Sequence, residues 1–253
     1  VVALHAAERH VLVAEAAPDV LCLQETKVVD DSFPRAAVAG LGYEHMAFRG
    51  MKSYNGVAIL SRRPIEIVED RKFCGREDCR HVAARIDGLD LHCLYVPAGG
   101  DEPDPAVNDK FAHKLDFLDE MASWSRSLNG GGRPVVLAGD FNVAPLETDV
   151  WSHRQLLNVV SHTPVEVERL DGAQAAGAWV DAVRRFIPPE VRLYSWWSYR
   201  ARDWAASDRG RRLDHVWVSP DLAGRLRGAS VLREARGWEK PSDHVPVIVD
   251  LAA

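Results

Sequence analysis

Short apolar segments alternate with turn residues through the first hundred positions of the chain. Residues 20–23 form a continuous apolar run, which predicts a buried strand. Further strands are predicted at 43–48, 57–61, 65–68, 81–86 and 90–96, where Gly, Pro and Asn mark the turns between them. This spacing is typical of a β-sandwich built from consecutive antiparallel strands.

Helical spacing of apolar residues occurs in three places. Residues 2–16 predict a short helix, and 106–127 predict the longest one, with an apolar stripe and a glycine run after its end. A third helix is predicted to begin after Thr163, because proline follows and Glu166 stands three positions on. We expect helix 106–127 to pack outside the strand that follows it, at 134–138.

The stretch 134–145 combines this strand with polar residues at its exit. After consecutive apolar residues, Gly139 lets the backbone turn sharply before Asp140 and Asn142. In an extended segment both polar side chains point one way, and Phe141 between them points the other way. Gly, Asp and Asn are also the commonest turn formers, so an Asx turn without function remains an alternative at this point.

Acidic residues recur at the ends of other predicted strands. Glu25 follows the run 20–23, and Asp214 and the pair Asp243 and His244 begin two strands near the C-terminus. In antiparallel sheets the end of one strand lies beside the start of its neighbour. The four carboxylates of Glu25, Asp140, Asp214 and Asp243 are therefore predicted to share one edge. A lone Glu is more commonly a first-turn helix acid, and only the recurrence favours a site.

Composition favours one soluble domain. The 253 residues are 47% apolar, which is ample for a core without disulfide bonds. The four cysteines lack zinc-type spacing and are expected to be reduced, with Cys74 and Cys79 the only pair near enough in sequence for a disulfide. There is no apolar run of membrane-spanning length and no signal-peptide pattern, so a cytoplasmic protein without a membrane partner is expected.

The net charge of −6 gives no general reason to expect nucleic acid as a partner. Residues 199–212 differ, because they carry five arginines against two aspartates, with Tyr199 and Trp204 interleaved. This stretch suits a phosphate backbone, although a solvated loop explains it equally well. Just before it, Trp196 and Trp197 are adjacent and cannot both enter the same core if the segment is extended, so one of them is available for a ligand.

Carboxylates gathered with an Asn, a His and a Tyr repel one another unless a cation lies between them. Oxygen-rich ligands with few imidazoles suit a hard ion such as Mg²⁺ or Mn²⁺, which pairs naturally with phosphate. The predicted reaction is metal-assisted phosphoester hydrolysis. In an Asp-His step the carboxylate can also orient the imidazole toward a phosphoryl oxygen.

Five motifs together resemble the exonuclease III family of abasic-site endonucleases, within the endonuclease/exonuclease/phosphatase superfamily. They are Leu23-Gln24-Glu25-Thr26-Lys27, Gly139-Asp140-Phe141-Asn142, Tyr194-Ser195-Trp196, Arg212-Leu213-Asp214 and Pro241-Ser242-Asp243-His244-Val245-Pro246-Val247. The resemblance covers nearly the whole chain. It implies an α+β fold of the DNase I-like type, a four-layer α/β sandwich with two packed, mainly antiparallel β-sheets flanked by helices.

The resemblance also implies roles for matching residues. Glu25 matches the principal metal ligand, and Asp140 the residue that orients or deprotonates the attacking water. Asn142 matches the residue that steadies the phosphate, and Asp243 with His244 the pair that stabilises the pentacovalent phosphorus. The implied ligands of Mg²⁺ or Mn²⁺ are Glu25, Asp140, Asn142, Asp243 and His244.

Further matches concern the substrate. Tyr95 matches a catalytic tyrosine near the scissile phosphate, and Asp214 an acid on the leaving-group side. Trp196 matches an aromatic residue lining the pocket for the extruded baseless sugar, which pays little unstacking energy. The residues expected to bind DNA are Trp196, Arg209, Arg211 and Arg212.

Family members cleave duplex DNA 5′ to an abasic site and often show 3′→5′ exonuclease and 3′-phosphatase activity. The implied partner is therefore double-stranded DNA with abasic sites or 3′ ends, bound by a monomer. Two alternatives are a superfamily phosphoesterase acting on inositol phosphates or sphingomyelin, and a DNA-binding module that has lost catalysis. The intact set of Glu25, Asp140, Asp243 and His244 argues against the second.

The chain departs from the family pattern at two places. Ala98 stands where relatives often carry Gln, which removes one polar contact to DNA. Relatives also begin with a strand whose Asn helps to hold the metal-binding carboxylate, whereas this chain opens in what resembles the following helix. We therefore expect residues 1–253 to be a single domain lacking the family's first strand, as an N-terminally incomplete version of a longer protein.

Overall fold

Strands supply most of the framework in the computed structural model, which describes residues 16–129 and 131–252. In chain order the strands are β1 (Val20–Gln24), β2 (His45–Arg49), β3 (Val57–Ser61), β4 (Ile67–Glu69), β5 (His81–Ile86), β6 (Leu89–Tyr95), β7 (Val135–Asp140), β8 (Val180–Asp181), β9 (Trp196–Trp197), β10 (Gly210–Arg211), β11 (Asp214–Val218), β12 (Leu226–Val231) and β13 (Val247–Leu251). The α-helices are α1 (Arg35–Ala39), α2 (Asp109–Asn129), α3 (His153–Leu156), α4 (Pro164–Ala176) and α5 (Trp204–Ser207). Short 3₁₀ helices lie at Asp30–Ser32, Phe73–Gly75, Glu147–Asp149, Pro220–Arg225 and Arg233–Gly237.

Two larger sheets are present. One has the strand order β1-β3-β2, and the other has the order β4-β5-β6-β7-β11-β8. The strand pairs in both sheets are antiparallel except β6 and β7, which run parallel. A parallel neighbour requires a crossover, and α2 supplies it between β6 and β7. Two-stranded pairs, β9 with β10 and β12 with β13, complete the described sheets.

Three apolar cores stack these elements in four layers. The central core lies between the two larger sheets and includes Ile59 from β3 and Val82 from β5. A second core joins the other face of the six-stranded sheet to α2 and α4, and the third joins the three-stranded sheet to α1. The four-layer α/β sandwich implied by the resemblance is confirmed.

Most element boundaries agree with the sequence pattern. The strands predicted at 57–61 and 81–86 match β3 and β5 at both ends, and α4 begins with the predicted cap. Thr163 Oγ1 accepts a hydrogen bond from the Glu166 amide, and the Glu166 carboxylate accepts one from the Thr163 amide. The helix predicted at 2–16 lies, apart from residue 16, outside the described residues.

Two local predictions were wrong. Gly139 does not make a turn but lies inside β7, where a Cβ atom would stand 1.9 Å from the carbonyl oxygen of Leu94. The last strand does not begin at Asp243 but at Val247, after an isolated bridge between His244 and Trp196. Pro246 has no N–H group for a ladder, which delays the start of the regular strand.

The four cysteines are free thiols, so Cys74 and Cys79 are not joined by a disulfide. Within 16–129 and 131–252, no helix combines the length and apolar character needed to cross a membrane.

Candidate active site

Three strands bring polar residues into one row at the edge of the six-stranded sheet. Asp140 ends β7 and is the cross-strand partner of Asp214, the first residue of antiparallel β11. On its other side, Asp140 pairs with Tyr95, the last residue of parallel β6. Strand ends and a strand start therefore meet at one edge, as the positions in the sequence predicted.

Glu25 reaches the same edge from the other sheet. It follows β1 directly with a left-handed φ of 55°, and its Oε1 accepts a 2.6 Å hydrogen bond from the Tyr95 hydroxyl. Its Oε2 lies 2.9 Å from Lys27 Nζ. Burial would raise the pKa of Glu25, but the hydrogen bonds from Tyr95 and Lys27 outweigh it and lower that pKa. The carboxylate is therefore ionised at neutral pH, and its side chain remains 41% exposed.

His244 lies between two buried carboxylates. Its Nδ1 is 2.9 Å from Asp214 Oδ2, and its Nε2 is 3.8 Å from Asp140 Oδ2. Burial disfavours the charged ring, but the charges of Asp214 and Asp140 outweigh it and raise the pKa of His244 to about 10. The ring is therefore a cation with a proton on each nitrogen, a form that can donate to a phosphoryl oxygen but has no lone pair for a metal.

Burial also raises the pKa of Asp140 to about 7, with the nearby Asp214 charge adding to the rise and His244 opposing it. Its two oxygens accept hydrogen bonds from Asn142: the backbone amide donates to Oδ1 and Nδ2 to Oδ2, each at 2.9 Å. Asn142 Nδ2 also donates to the Val96 carbonyl at 2.9 Å. The bond from the Asn142 amide to Asp140 Oδ1 closes an Asx turn, which is therefore real and forms part of the polar cluster; Asn142 has a left-handed φ of 53° there.

The predicted metal ligands do not all converge. Asp140, Asp214 and His244 each offer an atom within 4.8 Å of the others, whereas Asp214 was not in the predicted ligand set. Asp243 turns aside, because its Oδ2 accepts a 3.0 Å hydrogen bond from Trp196 Nε1. The edge nevertheless fits a divalent cation, since Asp214 Oδ1 is a buried acceptor without a partner among the described residues and Glu25 is ionised nearby.

The adjacent tryptophans do not enter the same core, as the sequence predicted. Trp197 is buried at 2% exposure and packs with Tyr194 and Val245. Trp196, the next residue back, is only partly buried and contacts Asp243 of the polar cluster. The two rings therefore leave β9 on opposite faces, one into a core and one toward the site.

The three arginines expected at DNA occupy different environments. The Arg209 guanidinium lies over the Trp151 ring, and that of Arg211 lies over Trp196. Arg212 contradicts the expectation, because it is 1% exposed and forms ion pairs with Asp149 and Asp181. A side chain enclosed in this way cannot reach a phosphate backbone. Its ion pairs instead join the chain after β10 to the 3₁₀ helix Glu147–Asp149 and to β8.

Sequence reasoning missed a buried ion pair behind the site. Lys114 has no exposed surface, and its Nζ donates to the Glu166 carboxylate, to the Asn142 carbonyl at 2.7 Å and to the Ala98 carbonyl at 3.3 Å. It therefore ties together the loops that follow β6 and β7. The sequence could have indicated this buried lysine, because Lys114 stands three residues after Phe111 and one before Leu115, beside the apolar stripe of α2.

Ser195, in the motif Tyr194-Ser195-Trp196, is a second residue whose structural role was not predicted from the sequence. Its hydroxyl oxygen accepts hydrogen bonds from the backbone amides of Leu213 and Asp214, at 3.0 and 3.1 Å. The side chain is fully buried. It fixes the start of β11 and so the position of the Asp214 carboxylate beside His244.

Comparison with known proteins gives concordant matches. The model of the endonuclease/exonuclease/phosphatase family matches residues 9–244. Exodeoxyribonuclease III of Haemophilus influenzae is 28% identical over 252 residues, covering 91% of this chain and 88% of that protein. The solved structure of a 3′ phosphatase from Neisseria bound to a product DNA hairpin superposes with a TM-score of 0.89 at 30% identity, covering 98% of this chain and 94% of that one. An AP endonuclease from Archaeoglobus fulgidus superposes with a TM-score of 0.88 at 32% identity, covering 97% and 94%.

Proposed function

Because the chain belongs to the endonuclease/exonuclease/phosphatase family, as a nuclease of the exonuclease III and AP endonuclease type, we propose that it hydrolyses the phosphodiester 5′ to abasic sites in duplex DNA. Removal of 3′-terminal nucleotides and 3′ phosphates by the same site is part of the proposal, since a relative with 30% identity is a 3′ phosphatase. The observation that carries the proposal is the cluster of Asp140, Asp214 and His244, with Glu25 beside it.

Asp140 is the general base of this proposal. Its pKa of about 7 lets the carboxylate exist at neutral pH and still accept a proton from water. The amide and Nδ2 of Asn142 fix both of its oxygens, so the base has one orientation. The neighbouring Tyr95 hydroxyl donates to Glu25, which places a second polar group at the same edge.

His244 stabilises the negative charge that develops on the phosphoryl oxygens in the transition state. The protonated ring has one N–H held by Asp214 and the other directed to the side of Asp140. A fixed cation in a buried site stabilises developing negative charge without reorganising when the reaction occurs. Asp214 therefore acts on the ring rather than on the substrate, and Ser195 holds Asp214 in place.

Glu25 is the residue proposed to hold the divalent ion, Mg²⁺ or Mn²⁺, with Asp140 and Asp214 offering further carboxylate oxygens. When bound, such an ion supplies positive charge to the phosphate and its leaving oxygen. Glu25 suits this task because it is ionised and 41% exposed, whereas charged His244 has no free lone pair. His244 is therefore assigned to the phosphate rather than to the metal. Asn142 donates to Asp140 and Asp243 accepts from Trp196, so these two residues are assigned to the base and to the pocket.

DNA contacts are proposed for the face that carries Trp196, with Arg209 and Arg211 as cationic neighbours. The experiment that tests the function uses duplex DNA with one tetrahydrofuran abasic analogue, incubated with the enzyme in Mg²⁺ or in EDTA. Incision on the 5′ side of the analogue in Mg²⁺ alone is expected. Binding of the duplex without incision in Mg²⁺ would instead indicate a DNA-binding module, and hydrolysis restricted to non-nucleic phosphoesters would indicate a different substrate.

A further inference from the structure

Three side chains from neighbouring backbone segments lie in a row beside the catalytic cluster. Arg211 of β10 is the cross-strand partner of Trp196 of β9, and Trp196 in turn bridges to His244. Directly opposed residues of antiparallel strands point to the same face. Since neighbouring strands lie about 4.8 Å apart, the backbone of Arg211 is roughly 10 Å from that of His244, with the Trp196 ring between them.

Arg211 is held firmly in this row. Its Nη1 donates to the Val160 carbonyl at 2.9 Å and to Ser161 Oγ at 2.7 Å. Its Cζ lies 5.3 Å from the centroid of the Trp196 ring. Two hydrogen bonds and the ring contact fix the guanidinium against the aromatic residue expected to line the pocket.

The charge of Arg211 is not neutralised in the part of the chain that the structure describes. No carboxylate there lies within ion-pair distance of its guanidinium, whereas the adjacent Arg212 pairs with both Asp149 and Asp181. Nη2 of Arg211 donates to none of the described residues, and its Nε is buried without a partner. The two arginines leave the backbone on opposite faces, and only the one facing Trp196 carries unpaired charge.

Glu166 does not remove this charge. Burial lowers the pKa of Arg211, and the Glu166 charge opposes that only in part. The Glu166 oxygens already accept hydrogen bonds from Lys114, from the Ser161 amide and from Thr163. A largely buried cation without a counterion is costly, and an anionic ligand would offset that cost.

We propose that Arg211 makes the Trp196 pocket selective for a negatively charged substituent on the 3′-terminal phosphate of DNA, such as the carboxylate of a 3′-phosphoglycolate, over an uncharged baseless sugar. This assignment rests on the proposed function. The chemical step does not change: a water oxygen bonds to phosphorus, the bond to the 3′ oxygen breaks, and that oxygen takes a proton. What Arg211 adds is a charge-assisted hydrogen bond to the group that leaves with the phosphate.

Three duplexes that differ at one position test this role, each assayed in Mg²⁺ for kcat/KM. One carries a nick with a 3′-phosphoglycolate, one a nick with a 3′ phosphate, and one an internal tetrahydrofuran. Arg211→Gln is expected to lower kcat/KM for the glycolate end by about tenfold or more, mainly through KM, and to leave that for the 3′-phosphate end, whose anion is the reacting group itself, within about threefold. The change for tetrahydrofuran is expected to stay within about threefold, because that sugar offers no charge to the guanidinium.

Two further variants separate charge from packing. Arg211→Lys keeps the charge and is expected to retain most of the preference, whereas a loss equal to that of Arg211→Gln would assign the effect to packing and overturn the proposal. Arg209→Gln removes the same charge from the Trp151 ring, and we expect it to leave the ratio between substrates unchanged. Thermal melting of each variant checks that the fold is retained.

The outcomes distinguish the selectivity proposed for Arg211 from the proposed nuclease function on which it rests. Loss confined to the glycolate end supports the proposal, whereas a loss of the same size at the 3′-phosphate end would place the contact at the reacting phosphate and overturn it. Equal losses on all three duplexes, or an unchanged ratio, would make Arg211 a general contact or no contact and overturn it. If the unaltered enzyme hydrolyses none of the three in Mg²⁺, the proposed function itself is wrong.

Discussion

The imidazole of His244 is bound to Asp214 through a 2.9 Å contact between Nδ1 and Oδ2. This contact fixes the orientation of the ring. It also keeps the positive charge of the ring near the Asp140 carboxylate at the end of β7. A buried imidazolium held this way is poised to meet a phosphoryl oxygen with its remaining N–H.

Replacing Asp214 with Asn tests the pair. The amide can still hydrogen-bond to the ring but removes the charge that favours the imidazolium, so the pKa of His244 should fall. Incision of an abasic duplex is expected to slow by about a hundredfold or more, with little change in DNA binding. The rate is measured by single turnover at several pH values. Unchanged turnover at pH 8 would show that Asp214 does not maintain the charge on His244.

Glu25→Gln is expected to change the metal requirement, unlike Asp214→Asn. The amide keeps the shape and the hydrogen bond with Tyr95 but loses the charge that attracts a divalent ion. We expect the Mg²⁺ concentration for half-maximal incision to rise by about tenfold or more, with part of the rate recovered at high Mg²⁺. Titrating Mg²⁺ against the incision rate checks this, with Glu44→Gln on the exposed surface as the control. The assignment fails if both variants share the Mg²⁺ dependence of the unaltered enzyme.

The Lys114 and Glu166 pair offers a test of stability. Lys114→Met keeps most of the side-chain length but leaves the buried Glu166 carboxylate without its cation. Breaking one partner of a buried pair costs about 3–5 kcal/mol, and this loss should appear as a lower free energy of unfolding in urea. The double variant Lys114→Met/Glu166→Gln should recover a large part of it, because no uncompensated charge remains. A double variant no more stable than the single one would contradict this explanation.

A buried histidine pair predicts acid sensitivity away from the site. His81 Nε2 lies 3.0 Å from His92 Nδ1, and burial lowers the pKa of His92 to about 4. The unfolded chain binds this proton below about pH 6.5 while the folded chain does not, so stability falls as pH drops from about 6.5 toward 4. His92 alone should account for about 2 kcal/mol between pH 8 and pH 5.

Urea unfolding at pH 8 and pH 5 measures this loss. His92→Gln can still accept the hydrogen bond from His81 but cannot titrate, so the difference in unfolding free energy between the two pH values should shrink. His45→Gln, at a partly exposed position of β2, is the matched control and should leave the difference unchanged. An equal difference in the His92→Gln variant and the unaltered protein would show that His92 does not carry the effect.

The sequence was sufficient to place the site on one edge of the sandwich but not to assign every partner. Asp140, Asp214 and Tyr95 were placed correctly because strand ends are marked by the switch from apolar to polar residues. Arg212 could not be distinguished from Arg211, because burial depends on Asp149 and Asp181, which approach from distant segments. Composition indicated a turn here but placed it wrongly at Gly139. The Asx contact between Asp140 and Asn142, and the close approach of β6 that requires a glycine at 139, are visible only in three dimensions.

Asp140→Asn, compared with the unaltered enzyme on one abasic-analogue duplex in Mg²⁺, is the most direct measurement. The amide keeps the size of the side chain but loses the capacity to take a proton from water, together with the negative charge that helps to keep His244 protonated. We expect the single-turnover incision rate to fall by about a hundredfold or more while the dissociation constant for the duplex changes little. Near-normal incision by Asp140→Asn would contradict the account, because the buried carboxylate between Asn142 and His244 would then not be the base.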